Sequence, residues 1–449
     1  MLDPRLHSIW IKFFRGSAGI STGRISCPGK LRGIEYRASL IKTCLFQSIV
    51  ILWRELGAIC GADNPRATCI ARPQPNSTDD TPVILDAFKQ CGQGGNIIFP
   101  NKTYHINTVM NTIGLKDCQI DLYGTMLWGT NITYWLANSL PLGYQNQSSA
   151  WFLGGTNLTF RGHGHGTLDG NGQTWYDFVN GVSNYPGRPH ALTIWNTTDS
   201  VLSGLRFVQS QMWTMTIIHS QHVLLEDIYV NSTSHTHSPA RNTDGADTMF
   251  SSHITFSRWT VANGDDSISL KANSTDISIK DSVFYKGLGV AIGSIGQYKD
   301  VFELIENVYV GNVTCVDTAY AAYVKTWTGE QAGYPPNGGG GGLGYARNVT
   351  FTNFHMRNST KKGVFYITQC TTFSGVAGDC NSSLFNVRDV RFENATGLVG
   401  TDYVADLQCS AASPGEGIEI KGVDLRDEDD EVVGMYECEN VVDTVGFSC

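Results

Sequence analysis

The chain has 449 residues, of which 41% are hydrophobic and 16% are charged. A chain of this kind is globular, and its length alone predicts about two to three domains. The formal net charge of -9 argues against a nucleic-acid backbone as the main partner. The 49 Gly, 18 Tyr and 10 Trp are typical of a β-rich fold with tight turns and aromatic surfaces that can face sugars.

Residues 1–63 form an N-terminal extension in our interpretation, and residues 64–449 form one domain. The best candidate for a secretory signal is Arg37–Ala62, whose apolar core Cys44–Trp53 is followed directly by Arg54 and Glu55. The segment lies far from the start of the chain, so we interpret it as a damaged or mis-joined signal. About ten apolar residues are too few to span a bilayer, and we predict no membrane partner.

Secretion is nevertheless the predicted localisation, because the chain has an even number of Cys and many N-glycosylation sequons. Pairing of nearest neighbours would join Cys69 with Cys91, Cys370 with Cys380 and Cys438 with Cys449, although spacing alone does not fix the connectivity. The sequons are at Asn76, Asn101, Asn131, Asn146, Asn157, Asn196, Asn231, Asn273, Asn312, Asn348, Asn358, Asn381 and Asn394.

Organised sequence begins near Cys69. The run Asp79–Pro82 predicts the start of a short helix, with Pro in its first turn and apolar residues following at helical spacing. Asn96–Phe99 is predicted to form a strand that ends before Pro100. A short helix ahead of a long β region could cap the open end of a β-solenoid.

From about residue 157 the chain repeats a loose unit of short, alternating apolar segments without intervening helices. Their starts are commonly separated by about 20 to 30 residues, which predicts an all-β parallel β-helix. A β-sandwich is the alternative, but regular hairpin turns are not found. The segments are Leu158–Phe160, Val201–Phe207, Val223–Val230, Ile254–Val261, Ile277–Phe284, Leu304–Val310, Val349–Met356 and Val387–Phe392.

Four Asp residues crowd the stretch 242–296. Asp244 and Asp247 lie about one repeat upstream of the adjacent pair Asp265 and Asp266. Because neighbouring strands are about 4.8 Å apart, a repeat of 21 residues would place Asp244 beside Asp265 in one cleft. Like charges in one site also raise each other's pKa.

Four segments resemble the motifs of the polygalacturonase family, glycoside hydrolase family 28, in the same order. They are NTDG at 242–245, GDD at 264–266, GLGVAIGSIG at 287–296 and YVK at 323–325, and DGNGQTWYD at 169–177 extends the likeness. The resemblance covers the chain from about residue 65 to its end. It implies a single-domain right-handed parallel β-helix with a short N-terminal capping helix, and inverting hydrolysis of pectic glycosides.

Inverting hydrolysis needs a carboxylic acid that protonates the leaving oxygen and a carboxylate, typically about 6.5 to 9.5 Å away, that activates water. The resemblance to the family motif implies that Asp265 is the general acid and that Asp244 and Asp266 hold and deprotonate the water. We expect the neighbouring charges to raise the pKa of Asp265 and keep it protonated in mild acid. The chemistry needs no metal or cofactor. Asp247 or Asp266 could instead only cap a turn.

The sequence departs from the family pattern at positions where we expect contacts with the substrate. Leu288 stands where the family keeps a His, and Tyr323 stands where it keeps an Arg. Lys325 remains and could pair with a uronate carboxylate. We assign further substrate contacts to Tyr323, Asn242, Asp247 and Trp327, with Trp327 as the sugar-stacking ring.

The third motif is similar to that of the fungal exo-acting branch, which contains galacturonidases, exo-rhamnogalacturonases and α-L-rhamnosidases. We therefore predict a monomeric enzyme that removes terminal galacturonate from a pectic polysaccharide or oligosaccharide, with rhamnose release as the alternative. The glycine-rich segment 327–345 could close one end of the cleft. Two other classes stay open, namely a Ca²⁺-dependent pectate-lyase-like enzyme and an inactive carbohydrate-binding β-helix.

Overall fold

A computed structural model describes residues 8–14, 20–26, 66–75, 77–331, 338–373 and 376–449. The chain divides into two units, residues 1–65 and 66–449. In the first unit β1 (Ser8–Phe14) and β2 (Ile20–Ser26) pair antiparallel. The candidate signal segment Arg37–Ala62 lies outside the described residues.

The second unit is a right-handed parallel β-helix, as predicted. Thirty of its strands form one continuous hydrogen-bonded sheet that winds through three faces. Face 1 contains β6 (Met110–Lys116), β11 (Trp151–Thr156), β15 (Leu192–Trp195), β18 (Met215–Ile218), β21 (Asp247–Met249), β24 (Ile268–Leu270), β26 (Val290–Ile295), β28 (Ala322–Trp327), β30 (Phe365–Thr371), β32 (Tyr403–Gln408) and β34 (Met435–Glu439).

The other two faces share long strands in the later coils. Face 2 contains β3 (Thr68–Ile70), β4 (Asn96–Phe99), β7 (Gln119–Leu122), β12 (Thr159–Arg161), β16 (Thr198–Ser203), β19 (Gln221–Glu226), β22 (Ser251–Ser257) and β35 (Val441–Val442). Face 3 contains β5 (Thr103–Ile106), β8 (Thr125–Trp128), β13 (Thr167–Asp169), β17 (Arg206–Val208), β20 (Tyr229–Asn231) and β23 (Thr260–Asn263). The strands that span both faces are β25 (Ser274–Lys286), β27 (Phe302–Thr318), β29 (Leu343–Ser359), β31 (Asn386–Leu398) and β33 (Gly415–Arg426).

Every predicted repeat segment overlaps a strand, but the coils vary more in length than the sequence suggested. One coil separates Asp247 from its register partner Ser269, a step of 22 residues, whereas Thr159 pairs with Val201, a step of 42 residues. The extra residues lie in the turns between strands. Parallel pairing throughout the thirty strands excludes the β-sandwich alternative.

Asn and Asp residues at the turns explain how successive coils bend at the same place. Asp276, Asn307 and Asn348 all have φ between 51° and 59°, a left-handed conformation that short polar side chains tolerate. The Asn307 amide donates to Asp276 at 3.0 Å, and the Asn348 amide donates to Asn307 at 2.8 Å. Such hydrogen bonds between equivalent positions of successive coils give the polar side chains of the turns their partners.

The interior is filled by apolar side chains stacked in register. Ile279, Val310, Phe351 and Phe392 follow one another along the helix axis. The Phe351 and Phe392 rings are parallel within 7° and their centroids are 5.1 Å apart. Because apolar side chains fill the interior, a substrate can bind only on the outside of the coil. The candidate site lies on the outer surface of face 1.

The N-terminal end of the coil is closed as predicted by helix α1 (Thr81–Cys91), which buries Ile84 and Phe88. The three predicted disulfides, Cys69 with Cys91, Cys370 with Cys380 and Cys438 with Cys449, are formed. Cys118, Cys315 and Cys409 are buried free thiols.

Two further helices, α2 (Ile132–Asn138) and α3 (Gly172–Val179), and a small separate sheet complete the fold. In that sheet β10 (Ser148–Ser149) pairs with β9 (Leu140–Pro141) and β14 (Pro189–His190). No helix in the described part of the chain is long and apolar enough to cross a membrane.

Candidate active site

Three carboxylates converge at the entry to face 1. Asp244 precedes β21, and Asp265 and Asp266 precede β24 one coil later. One oxygen from each lies within 4.8 Å of the others, so the predicted convergence is confirmed. The register differs by one residue from the expected step of 21. The Gly245 N–H donates to the Asp266 carbonyl at 3.0 Å, which places Asp266, rather than Asp265, directly beside Asp244.

The turn that presents the adjacent pair is held by Asn263. Its side-chain amide donates to the carbonyls of Thr243, Asp265 and Asp266 at 2.8–3.0 Å. Gly245 allows the two coils to approach, because a Cβ there would lie 2.3 Å from the Ser267 carbonyl. The sequence therefore fixes the position of the carboxylates through one amide and one glycine.

Asp265 is bound by Asn242. Both the backbone N–H and the side-chain amide of Asn242 donate to Asp265 Oδ2, at 3.1 Å and 3.4 Å. Asp265 is half-buried, whereas Asp244 and Asp266 are 3% and 1% exposed. Of the three carboxyl groups, Asp265 is thus the one that a substrate oxygen reaches most easily.

Asp266 is held by the fourth motif, two coils away. The Tyr323 hydroxyl donates to Asp266 Oδ1, and the Lys325 ammonium donates to Oδ2 at 3.0 Å. Lys325 also donates to the Tyr323 hydroxyl at 2.9 Å. The intervening coil carries Ala291 in register with Tyr323, and this small side chain leaves room for the tyrosine to reach Asp266.

Burial and crowding raise the pKa of two of the three carboxyl groups. Burial, followed by the charges of Asp265 and Asp247, raises the pKa of Asp244 well above its usual range. Burial, followed by the charge of Asp266, raises the pKa of Asp265. The expected direction for Asp265 is therefore right, but desolvation is the larger cause and like-charge crowding the second. Both residues favour holding a proton at a pH where free aspartate is ionised.

Asp247 takes a different role from the predicted one. Its side chain is 0% exposed and its carboxylate lies 3.2 Å from the Lys271 ammonium, so a direct substrate contact does not fit this geometry. Lys271 also donates to Ser269 Oγ at 3.0 Å and lies over the Trp213 ring at 4.8 Å. Burial raises the pKa of Asp247 to about 7 against the opposing attraction of Lys271.

The other predicted substrate residues are also largely enclosed. Trp327 is 7% exposed, which leaves little ring surface for a sugar to stack on. Asn242 and Tyr323 are 8% and 4% exposed, and their polar atoms bind the carboxylates of the site instead. A direct substrate contact remains a prediction for Lys325, whose side chain is 21% exposed.

Sequence reasoning missed two buried cations of the site, Lys271 and Arg188. Lys271 ends the motif NGDDSISLK, and its alternation with Ser269 along β24 is the signal that would have placed it on the same surface. Arg188 lies 56 residues before Asp244 on another coil, and no local pattern connects the two.

Metal binding was not predicted, although the three carboxylates have the spacing of a possible cation site. Ca²⁺ takes about six to eight oxygen ligands. Here both Asp266 oxygens accept hydrogen bonds from Tyr323 and Lys325, and a cation would have to displace these donors.

One side of the site is enclosed by loops from the preceding coils. Leu142 and Tyr144 pack with Phe152, Trp213 and Met249 on the outer surface of face 1. The Asn184 N–H and the Ser183 hydroxyl donate to Asn242 Oδ1 at 2.8 Å and 3.2 Å. The loops around β9, β10 and β14 therefore cover the N-terminal side of the carboxylates.

The predicted wall on the C-terminal side is only partly described. The Gly339 N–H donates to the Gln297 carbonyl at 3.0 Å, and the Gly342 N–H donates to the Gly296 carbonyl at 3.1 Å. This part of the segment 327–345 therefore packs on the turn that follows β26. Its function as a wall stays a prediction.

The fold and the carboxylate site together define a β-helical glycoside hydrolase. The chain belongs to the glycosyl hydrolases family 28, whose family model matches residues 105–449. The predicted resemblance to the polygalacturonase family and its exo-acting fungal branch is confirmed, and the protein is a pectin-degrading glycosidase.

The relatives include both specificities that the sequence left open. The α-L-rhamnosidase rgxB of Aspergillus niger is 51% identical over 91% of this chain and 96% of that protein. Exopolygalacturonase X of Aspergillus niger is 33% identical over 77% of this chain and 79% of that protein. The crystal structure of endo-xylogalacturonan hydrolase from Aspergillus tubingensis has a TM-score of 0.71 at 26% identity, covering 85% of this chain and 98% of that chain.

Proposed function

We propose that this protein is a secreted, exo-acting, inverting glycosidase that removes terminal α-L-rhamnose from pectic oligosaccharides. The observation that carries the choice of sugar is the state of Lys325. This residue was the predicted partner of a uronate carboxylate, but its ammonium is bound to Asp266 and to the Tyr323 hydroxyl. A terminal uronate would have to compete with Asp266, whereas a neutral deoxy sugar would not.

The 51% identity to an α-L-rhamnosidase supports the same choice over the galacturonate release that the sequence favoured. Leu288 adds to this argument. It is half-buried, its N–H donates to the Asp265 carbonyl at 2.9 Å, and it supplies an apolar side chain where the family pattern has a charged or polar ring. An apolar neighbour suits a methyl group better than a carboxylate.

The mechanism follows from the three carboxyl groups. Protonated Asp265 gives its proton to the glycosidic oxygen as the bond from that oxygen to the anomeric carbon breaks. Asp244 and Asp266 hold a water on the opposite face, and its oxygen bonds to the anomeric carbon as one carboxylate takes its proton. Asp244 Oδ1 has no hydrogen-bond partner in the described structure and can bind that water.

The carboxylate spacing differs from the expectation for inverting enzymes. The nearest oxygens lie within 4.8 Å, which is tighter than the separation of about 6.5 to 9.5 Å that was anticipated. We attribute the short spacing to a water shared by two carboxylates rather than to a covalent intermediate. Proton NMR of the first product decides between these mechanisms. Inversion gives the β-anomer from an α-linked substrate, and an initial α-anomer would show retention.

The N-terminal loops favour exo action. Because they cover one side of the carboxylates, a terminal sugar fits against them and the polymer cannot continue in that direction. The three disulfides and the many sequons support secretion. We propose that the protein acts as a monomer.

The experiment that tests this function uses the full-length protein with three substrates: rhamnogalacturonan oligomers ending in rhamnose, the same oligomers ending in galacturonate, and oligogalacturonates. We expect free rhamnose from the first substrate alone, and a strongly reduced rate of its release by Asp265→Asn. Galacturonate as the released sugar would overturn the rhamnose assignment.

Three other outcomes would contradict an exo-acting hydrolase. Oligomers of intermediate length would show endo action. An unsaturated, ultraviolet-absorbing product that depends on Ca²⁺ would show a lyase. Binding without any release would indicate the carbohydrate-binding module.

A further inference from the structure

A groove of about 620 Å³ lies on the outer surface of the coil, at the C-terminal ends of β6, β11 and β15. The three carboxylates precede β21 and β24, so they lie at the opposite ends of the face 1 strands and on later coils. The groove is therefore separate from the candidate active site, and the reaction proposed above does not use it.

The floor of the groove is apolar. Ile113 is 45% exposed and Trp195 is half-buried. The Trp195 ring stacks on Phe152, with centroids 4.8 Å apart, and the His219 ring meets it edge-on at 5.6 Å, so neighbouring coils fix its position. Lys116, which is exposed, adds a charged group to the lining. An apolar floor with a few polar groups around it is typical of sites that bind small polar molecules such as sugars.

Asn196 lies in the lining of this groove and begins an N-glycosylation sequon, Asn196–Thr198. It is exposed in the turn between β15 and β16, with a φ of 45°. Its backbone N–H donates to the Ile218 carbonyl at 3.0 Å, whereas its side-chain amide has no hydrogen-bond partner in the part of the chain that the structure describes. The backbone is thus fixed, and the side-chain nitrogen is free to react at the edge of an apolar groove.

Other sequons have different surroundings. The Asn312 amide donates to Asp281 at 2.6 Å, and the Asn348 amide donates to Asn307 at 2.8 Å. Each of these two amides contacts a polar side chain of the preceding coil, whereas the Asn196 amide stands beside an apolar groove.

We propose that Asn196 carries an N-glycan and that the first sugars of this glycan fill the groove over Ile113 and Trp195. The proposal rests on the secretion proposed above, but not on the identity of the sugar that the enzyme releases. Sugar rings cover apolar side chains with their C–H groups, while their hydroxyls stay in water or reach Lys116. Because this contact removes apolar surface from water, we expect the glycan to stabilise the fold.

The modification needs a lipid-linked oligosaccharide diphosphate as the donor. The side-chain nitrogen of Asn196 loses a proton and bonds to the anomeric carbon of the first N-acetylglucosamine, as the bond from that carbon to the diphosphate oxygen breaks. The lipid diphosphate is the leaving group.

The first measurement asks whether Asn196 is modified. The full chain is secreted from a yeast behind that host's own leader, and its glycopeptides are analysed by mass spectrometry. We expect N-acetylhexosamine and hexoses on the peptide that contains Asn196. Thr198→Val, which removes the sequon, should abolish this mass, and Thr198→Ser, which keeps it, should not. An unmodified Asn196 in the wild type would overturn the proposal.

The second measurement asks whether the glycan occupies the groove. Wild type and Thr198→Val are compared in the yeast form and in a form made in the bacterial periplasm, which attaches no N-glycan and lets the disulfides form. Thr198→Val should lower the melting temperature by about 2 °C more in the yeast form than in the bacterial form. Thr350→Val, which removes the sequon of Asn348, is the matched control and should have the same effect in both forms.

Ile113→Ser tests the contact itself. This variant keeps the sequon but loses part of the apolar floor, so the extra destabilisation that Thr198→Val causes in the yeast form should become smaller. Val301→Ser is the matched control, since Val301 is also 45% exposed but does not line the groove.

Equal effects of Thr198→Val in both forms, with Asn196 modified, would mean that the glycan extends into solvent and would overturn the assignment of the groove. An extra destabilisation that Ile113→Ser leaves unchanged would do the same. If the bacterial form does not fold, enzymatic removal of the glycans from the folded yeast protein supplies the comparison. None of these readouts depends on sugar release, so an inactive wild type with the expected differences would reject the proposed function and leave the glycan site standing.

Discussion

At the scale of single residues, the four aspartates of the site have the same side chain but different hydrogen-bond and ion-pair partners. Asp265 is held by amide donors and stays half-buried, Asp266 is held by Tyr323 and Lys325, and Asp247 is paired with Lys271. Environment rather than residue type therefore distinguishes the four aspartates, and these differences support the acid, water-binding and supporting roles that we propose for them.

Asp265→Asn should remove the general acid while preserving the shape of the turn. The asparagine keeps a carbonyl oxygen that can accept from Asn242. We expect kcat to fall about 10²- to 10⁴-fold with little change in KM, because proton donation acts in the transition state. Steady-state kinetics of sugar release measures this. Asp300→Asn, on an exposed turn, is the control, and wild-type activity in Asp265→Asn would refute the assignment.

Tyr323→Phe tests whether the fourth motif positions Asp266. The variant loses the hydroxyl that donates to Asp266 Oδ1 but keeps the ring and Lys325. We expect kcat to fall about tenfold or more, since a displaced water-binding carboxylate loses alignment. Tyr309→Phe, an exposed tyrosine on β27, should behave as wild type. A change in KM alone would instead make Tyr323 a substrate-binding residue.

Lys271 and Asp247 should stabilise the fold only as a pair. Lys271→Met leaves the Asp247 carboxylate buried without its cation, which should cost about 3–5 kcal/mol of unfolding free energy near neutral pH. The double variant Lys271→Met/Asp247→Leu should be more stable than Lys271→Met alone. Urea denaturation of the wild type, both single variants and the double variant measures the coupling. Additive effects would contradict a direct ion pair.

At the scale of secondary-structure elements, the capping helix and its disulfide protect the N-terminal end of the coil. Cys69 on β3 and Cys91 at the end of α1 are 22 residues apart, against 10 for Cys370 and Cys380. The longer loop should stabilise more, about 3.4 against 2.7 kcal/mol by loop entropy. We therefore expect Cys69→Ser/Cys91→Ser to lower the melting temperature more than Cys370→Ser/Cys380→Ser. The reverse order in calorimetry would show that loop length does not decide.

The elements also show what the sequence can predict. Alternating apolar segments predicted the strands and their parallel stacking, and the Asp-rich motifs predicted the cluster of carboxylates, because both are local patterns. The sequence did not reveal that Asp266 faces Asp244, since a one-residue change in register depends on turn geometry. Arg188 and the partners of Lys325 were equally hidden, because several coils bring them together.

At the scale of the whole molecule, several buried carboxyl groups determine how stability depends on pH. Burial raises the pKa of Asp244, Asp247 and Asp265 above the unfolded value, and that of Asp247 reaches about 7. Each contributes stability that is present at low pH and is lost as the pH rises through its folded pKa. The hydrogen bond and charge of Arg258 lower the pKa of Asp227, which acts in the opposite sense and loses its contribution in strong acid.

We therefore expect the free energy of unfolding to be greatest in mild acid and to decline as the pH passes through about 7. Asp247→Asn should flatten the decline near neutrality, because the amide does not titrate. Asp300→Asn, which changes an exposed aspartate in a turn, should leave the profile unchanged. Urea denaturation at pH steps from 4 to 8 supplies the curve. Stability that rises through neutral pH would mean that the buried carboxyl groups are ionised in the folded protein. Asp265 would then lack the proton that its proposed role as general acid requires.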